Sequence, residues 1–348
     1  MNTPNILPFG KTPAGEAVYR ICLKSNQLSC EVISYGAILR VLEVPDRDGK
    51  PTDIVLGYDT LAQYLADDVY FGATVGRVAN RIAKGSFTLH GQAYSLPTNN
   101  GNNHHHGGPD GFSHRVWHID NASADSVTLS LTSPDGDQGY PGTIKVTAEY
   151  TLRDNALIIR HTAVSDKDTL CSLTNHSYFN LAGHNSGNAM EQNILLFADE
   201  YTPSDPEGIP LGAIAPVEGT PMDLRERIPI RTHLDDPYPD LVQAKGYDQN
   251  YVIRGCMGAL RPAATATSDR SGITMHLETT MPGVHFYTAN YVSAGCPGKN
   301  GAVYGPRHAF CLETQYYPDS IHHPNFPSPV LKAGEMYDHT TAFTFSSR

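Results

Sequence analysis

Two short stretches of this chain carry side chains suited to moving protons. In Ala309-Phe310-Cys311-Leu312-Glu313-Thr314-Gln315-Tyr316-Tyr317-Pro318, a strand ending near Pro318 puts Ala309, Cys311, Glu313 and Gln315 on one face and Phe310 and Leu312 on the other. A carboxylate flanked by Cys311, Leu312 and aromatic residues is partly desolvated, which raises its pKa toward the range useful to a general base. In Leu173-Thr174-Asn175-His176-Ser177-Tyr178-Phe179-Asn180, the same alternation puts Thr174, His176 and Tyr178 on one face. An imidazole there can give or take a proton near neutral pH. Residue type alone leaves other readings open: Glu313 also suits a structural salt bridge, and His176 a satisfied core position.

Histidine is abundant, 16 in the chain, and Asn102-Asn103-His104-His105-His106-Gly107-Gly108 gathers three of them. Consecutive residues of an extended segment point to opposite faces, so His104 and His106 are the pair expected to converge. No third ligand follows at helical spacing, and the expectation is no metal. The tract reads as a glycine-bounded loop offering imidazole and amide groups to a polar ligand, with a solvent-exposed turn as the alternative.

Strands must position these groups. Val127, Leu129 and Leu131 alternate with polar residues, as do Ile144, Val146, Ala148, Tyr150 and Leu152, and the pattern returns at Ile273, Met275 and Leu277 and near Ala342 to Phe345. Turn clusters such as SPDGDQGYPG separate them. Only Thr60 to Leu65 looks helical. With 31 Gly and 25 Pro in 348 residues, turns are frequent and helical bundles are excluded. The pattern predicts an all-β fold, one large antiparallel β-sandwich domain over residues 1–348.

The net charge of −11 repels phosphate backbones and anionic lipid, so neither nucleic acid nor membrane is expected as a partner. No run approaches 18 apolar residues, and the start lacks a positive segment followed by an apolar one, so the expected location is cytoplasmic. The six cysteines (22, 30, 171, 256, 296 and 311) form no C-x-x-C pair and read as reduced, buried thiols. Dinucleotide-binding, phosphate-loop, zincin and nucleophile-elbow motifs are all missing.

Five ordered motifs together resemble the aldose 1-epimerases, or galactose mutarotases, over nearly the whole chain. They are Gly76-Arg77-Val78-Ala79-Asn80-Arg81-Ile82, the His106-Gly107-Gly108 loop, Leu173 to Gly183, Gly246-Tyr247-Asp248-Gln249-Asn250 and Leu312-Glu313-Thr314-Gln315. The resemblance implies a mutarotase-like supersandwich, no cofactor, a monosaccharide substrate, and a monomer or homodimer. It implies Glu313 as general base and His176 as general acid, with Arg81, His106, Asp248 and Asn80 binding the sugar. The implied reaction interconverts the α and β anomers of free aldohexoses such as galactose and glucose by opening and closing the ring. Two positions depart from the family pattern. Met281 stands where Gln is usual, which removes a sugar hydrogen bond, and Gln249 where His is common. A hexose-phosphate epimerase would need a basic cluster that this acidic chain does not advertise. A silent sugar binder would need no matched acid and base, and a glycosidase would want two carboxylates flanking the scissile bond.

Overall fold

The structure, a computed structural model, describes residues 4–66 and 68–348. Its largest sheet has nine strands, all antiparallel. From one edge to the other they are His118–Ala122, Ser126–Ser133, Ile144–Arg153, Ala156–Ser165, Met336–Ser347, Ile273–Thr279, Arg261–Thr267, Asn193–Leu196 and Ile228–Pro229. A six-stranded sheet runs Tyr178–Phe179, Phe310–Gln315, Gly283–Tyr287, Asp248–Ile253, Ala198–Thr202 and Ala215–Pro216. A five-stranded meander occupies the N-terminal part, from Asn5–Lys11 to Pro51–Asp53.

The alternation read in the sequence is the alternation of burial. Ile144, Val146, Ala148, Tyr150 and Leu152 are all buried, whereas the residues between them are not. They join one apolar cluster with Met275, Leu277, Phe343 and Phe345 from the large sheet and with Tyr251, Val284, Phe286, Phe310 and Leu312 from the six-stranded sheet. Two antiparallel sheets that share a core between their inner faces make the expected β-sandwich.

Leu61–Leu65 is helical, capped by Thr60 with Gln63 answering in a capping box. A second helix, Pro239–Ala244, was not expected from the sequence; its signals are Pro at the first helical position and Asp240 in the first turn. The thiols need correction too. All six cysteines are free, but only Cys30, Cys171 and Cys311 are buried, and Cys256 is exposed. Cys256 follows the end of a strand, in the Gly255–Gly258 turn, where no core is at hand to cover it.

Arg77 and Arg81, four residues apart in one motif, do different work. Arg77 is buried, and its guanidinium donates to the Pro134, Pro141 and Ser133 carbonyls and to the Ser133 and Thr169 hydroxyls, which ties down the SPDGDQGYPG turn. Arg81 begins a two-residue strand, Arg81–Ile82, that pairs with His104–His105.

The large sheet also sets a buried His161 opposite a half-buried His339 on neighbouring strands. Burial pushes both down to about 4, and the neighbouring imidazole adds to the effect on His161. Below about pH 6.5 the unfolded chain binds protons that the folded chain refuses until about pH 4, so stability must fall with pH across that window. The thermal midpoint is therefore expected to drop between pH 7 and pH 5, before carboxylates titrate; a constant midpoint over that range would contradict the burial of neutral imidazoles.

Candidate active site

The outer face of the six-stranded sheet floors a cleft of about 690 Å³. Register decides which residues meet there, because directly opposed residues of antiparallel strands share a face. Glu313 lies opposite His285, and His285 opposite Asn250; Tyr178 lies opposite Cys311, Cys311 opposite Tyr287, and Tyr287 opposite Asp248. Phe310 and Leu312 point into the core instead, as the alternation predicts. All six residues of the Phe310–Gln315 strand are buried, so Glu313 is a carboxylate in a dry setting.

The stretch around His176 is not one strand. Thr174–Asn175 pairs with Thr74–Val75, Tyr178–Phe179 pairs with the strand bearing Glu313, and His176 sits in the break between them. His176 and Tyr178 both line the cleft, with rings stacked at 5.0 Å, and Tyr70 lies across the other side at 6.0 Å. Between these rings, His176 Nε2 reaches to 3.5 Å from Glu313 Oε1. Burial pushes His176 down to about 3 and pushes Glu313 well above the usual carboxylate range, the Asp248 charge adding to the latter and Arg81 opposing it.

The histidine tract departs from the expectation. His104 and His106 do not converge. His104 faces away from the cleft, bonding the Tyr140 hydroxyl at 2.8 Å and the Pro97 carbonyl at 2.7 Å. His105 and His106 both line the cleft, with ring centroids 3.7 Å apart. Simple alternation fails because extended pairing stops at His105 and His106 has φ +51°, so the chain turns there. Gly107 completes the turn at φ +82°, where a Cβ would lie 1.8 Å from the Gly76 carbonyl oxygen.

Asn80 and His106 lock together. His106 N–H donates to the Asn80 carbonyl at 3.0 Å, and Asn80 N–H donates to His106 Nδ1 at 3.1 Å. Burial holds His106 neutral, so with Nδ1 accepting, Nε2 carries the hydrogen into the cleft as a donor. The Asn80 side-chain oxygen accepts from Arg81 Nη1, and the Asn100 oxygen accepts from Arg81 Nε, which fixes the guanidinium at the cleft wall.

Asp248 lines the cleft as expected, but its partner His285 escaped the sequence reading; the two meet at 2.8 Å across strands. Burial pushes the Asp248 carboxyl up, but the hydrogen bond and charge of His285, with Arg81, outweigh it and leave the pKa below its ordinary value. His105, Tyr70, Tyr287 and Tyr291 were likewise missed. The two departures from the family pattern fall outside the cleft. Met281 is buried in the turn before the Gly283–Tyr287 strand, its sulfur 3.8 Å from the Tyr337 hydroxyl, and is not among the residues lining the cleft. Gln249 points to the opposite side of its strand from Asp248, donating to the Asp240 carbonyl and accepting from Asp248 N–H.

Among the described residues, His106, His176 and Glu313 bring ligand atoms within 4.8 Å of one another. One ion held at about 2.1 Å from each would need donors about 3.4 Å apart. The His176–Glu313 pair, at 3.5 Å, already has that spacing, so the geometry by itself does not separate an ion from a sugar oxygen as the occupant.

Comparison with known proteins gives one answer. The profile of the family described as Aldose 1-epimerase matches residues 19–344. The galactose mutarotase of Bos taurus is 44% identical over 339 residues, 97% of either chain, and the aldose 1-epimerase of Escherichia coli K12 is 34% identical over 350 residues, 99% of this chain and 98% of its own. The crystal structure of a GalM/aldose epimerase homologue from C. elegans superimposes with a TM-score of 0.86 at 31% identity, covering 99% of both chains. With a family match across most of its length, relatives of this identity and coverage, and the shared sandwich, the chain belongs to the aldose 1-epimerase family.

Proposed function

We propose that Glu313 and His176 carry out the anomer interconversion of aldoses that this enzyme, an isomerase of the mutarotase type, performs. The observation that carries the reading is their 3.5 Å approach on the floor of the polar cleft. Glu313 takes the proton from O1 while the C1–O5 bond breaks, and His176 gives a proton to the departing O5. The product is the open aldehyde. Rotation about C1–C2 presents the other carbonyl face, and closure reverses both transfers. Across ring opening the pair changes from carboxylate and imidazolium to carboxylic acid and imidazole, with the same number of protons. Burial favours the neutral arrangement of both groups, which is the one that accompanies the open chain.

Arg81, His106, Asp248 and Asn80 hold the sugar in this reading. Arg81 and His106 Nε2 are donors and Asp248 is an acceptor, so together they can bind several hydroxyls in a fixed orientation. Free aldohexoses such as galactose and glucose are the proposed substrates, and the names of the relatives support galactose. The whole chain is read as one domain, supported by an apolar cluster whose members run from Ile21 to Phe345. No helix among the described residues is long and apolar enough to cross a membrane. A cytoplasmic monomer or homodimer is part of the proposal.

Glu313→Gln keeps the shape of the side chain but cannot accept the O1 proton, so turnover of galactose is expected to fall by about 10²-fold or more. His176→Asn should fall similarly, and the double variant should be little worse than either, because the two transfers act as a unit. Polarimetry on freshly dissolved α-D-galactose measures all three; full additivity would contradict the coupled scheme.

The pH profile follows from the His176 shift. With His176 pushed down to about 3, its imidazole does not change charge across the neutral range. Once the uncatalysed rate is subtracted, kcat/KM should show no step near about pH 6.5, where an ordinary imidazole titrates. A full sigmoidal loss centred there would show that a solvent-like histidine controls the reaction.

A methyl galactoside carries no proton on its anomeric oxygen, so it should be inert while still competing weakly with galactose for Arg81, His106 and Asp248. Proton NMR of both methyl anomers decides this, and released methanol would replace the epimerase reading with a glycosidase one.

A further inference from the structure

We infer that His285 is a positioning residue for the sugar: it acts through Asp248, presenting that carboxylate to the substrate in one orientation. The inference rests on the reading of Asp248 as a sugar-binding residue and adds what makes it one.

The geometry begins with register. His285 is the middle residue of Gly283–Tyr287, opposed by Asn250 on one side and by Glu313 on the other. It lies beside the proposed base without bonding to it and leans instead to Asp248, with Nε2 2.8 Å from Oδ1. Its other nitrogen, Nδ1, is buried and has no hydrogen-bond partner among the described residues. Asn80 Nδ2 stands 3.5 Å from the same Nε2, so the imidazole also touches the residue that anchors Arg81 and His106. One ring thus adjoins the supports of three proposed sugar ligands.

Asp248 needs such a partner. A carboxylate at the rim of a strand can rotate about its Cβ–Cγ bond, and in a sugar site each rotamer offers hydroxyls a different acceptor. Tying Oδ1 to His285 leaves Oδ2 as the acceptor for the substrate, with its direction fixed. The same bond stabilises the ionised form, which is the form able to accept from two hydroxyls. Without it, Asp248 would be a half-dry carboxylate close to a second one, Glu313, with Arg81 as the remaining positive neighbour. Such a group relieves its repulsion by turning toward water or by taking a proton, and either change spoils it as a ligand.

The experiment uses the full-length enzyme with galactose and separates KM from kcat. His285→Ala should raise KM by about tenfold or more, the scale set by a hydrogen bond to a charged group, with a smaller change in kcat. His285→Gln, whose amide can still donate to Oδ1, should recover most of the KM without restoring the imidazole; it also guards against a folding defect in the alanine variant. Asp248→Asn alone should raise KM, and combining it with His285→Ala should add little further, because the histidine acts through the carboxylate. Additive effects in the double variant, or a His285→Gln variant as impaired as His285→Ala, would overturn the inference while leaving the role of Asp248 standing. An Asp248→Asn enzyme with unchanged KM would instead remove Asp248 from sugar binding, and the positioning role of His285 would fall with it.

Discussion

A strand that is dry on both faces must find apolar or paired company for every side chain, and the strand from Phe310 to Gln315 meets that demand unevenly. Phe310 and Leu312 satisfy it in the sandwich core, whereas the alternate face presents Glu313, whose Oε2 is buried without a partner among the described residues. Burying a carboxylate this way is costly unless something answers it, and burial here pushes its pKa far up. In the proposed reaction that cost is useful, since a carboxylate with a raised pKa holds a proton more strongly and is the better base toward a sugar hydroxyl. Much of the surrounding architecture works to keep that face dry and yet open to a ligand: the stacked Tyr70 and Tyr178 rings about His176, the second sheet behind, and the loops at the rim.

The groups opposite the sheet come from loops, and loops are precise only when their backbones are pinned. Asn80 and His106 pin each other by two reciprocal hydrogen bonds made by main chain and imidazole, and both residues hold positive φ, at 62° and 51°. Strained backbone of this kind persists only where surrounding contacts over-determine it. Here those contacts are the Gly107 turn against Gly76 and the buried Arg77 fork, which fixes a separate turn behind the site. The second arginine of the motif, Arg81, is free to face the cleft because Arg77 carries the structural load.

The sequence made the strands legible where one face was wet and the other dry. Ile144 to Leu152 reads cleanly because only half of its residues enter the core. Glu313 and His176 were legible by type and by neighbours in the chain, and their family motifs set them in context. The histidine tract misled because alternation assumes a continuing strand, and the turn at His106 breaks it. Met281 misled in a different way: it lies in a turn before its strand enters the cleft, whereas the cleft-facing position is four residues further on. His285 was missed because its meaning lies in a contact with a residue 37 positions earlier, created by pairing that one sequence does not display. The helix at Pro239–Ala244 left local signals, but at six residues it was too short for helical periodicity to stand out.

Asp248 and Glu313 lie on the same sheet face, yet their surroundings pull them in opposite directions. Burial acts upward on both, and the difference is in the partner. Asp248 has His285 at 2.8 Å and ends below its ordinary pKa, while Glu313 has a neutral-leaning imidazole at 3.5 Å and the negative Asp248 nearby, and ends well above. Two carboxyl groups whose environments separate their proton affinities are thereby assigned different tasks. The one that stays ionised is suited to accepting hydrogen bonds from hydroxyls that do not react, and the one that holds a proton more tightly is suited to the hydroxyl that does. The negative charge of Asp248 raises Glu313 further, so the proposed sugar ligand also tunes the proposed base. The division of labour therefore depends on both groups sharing one dry face, which the register of three neighbouring strands supplies.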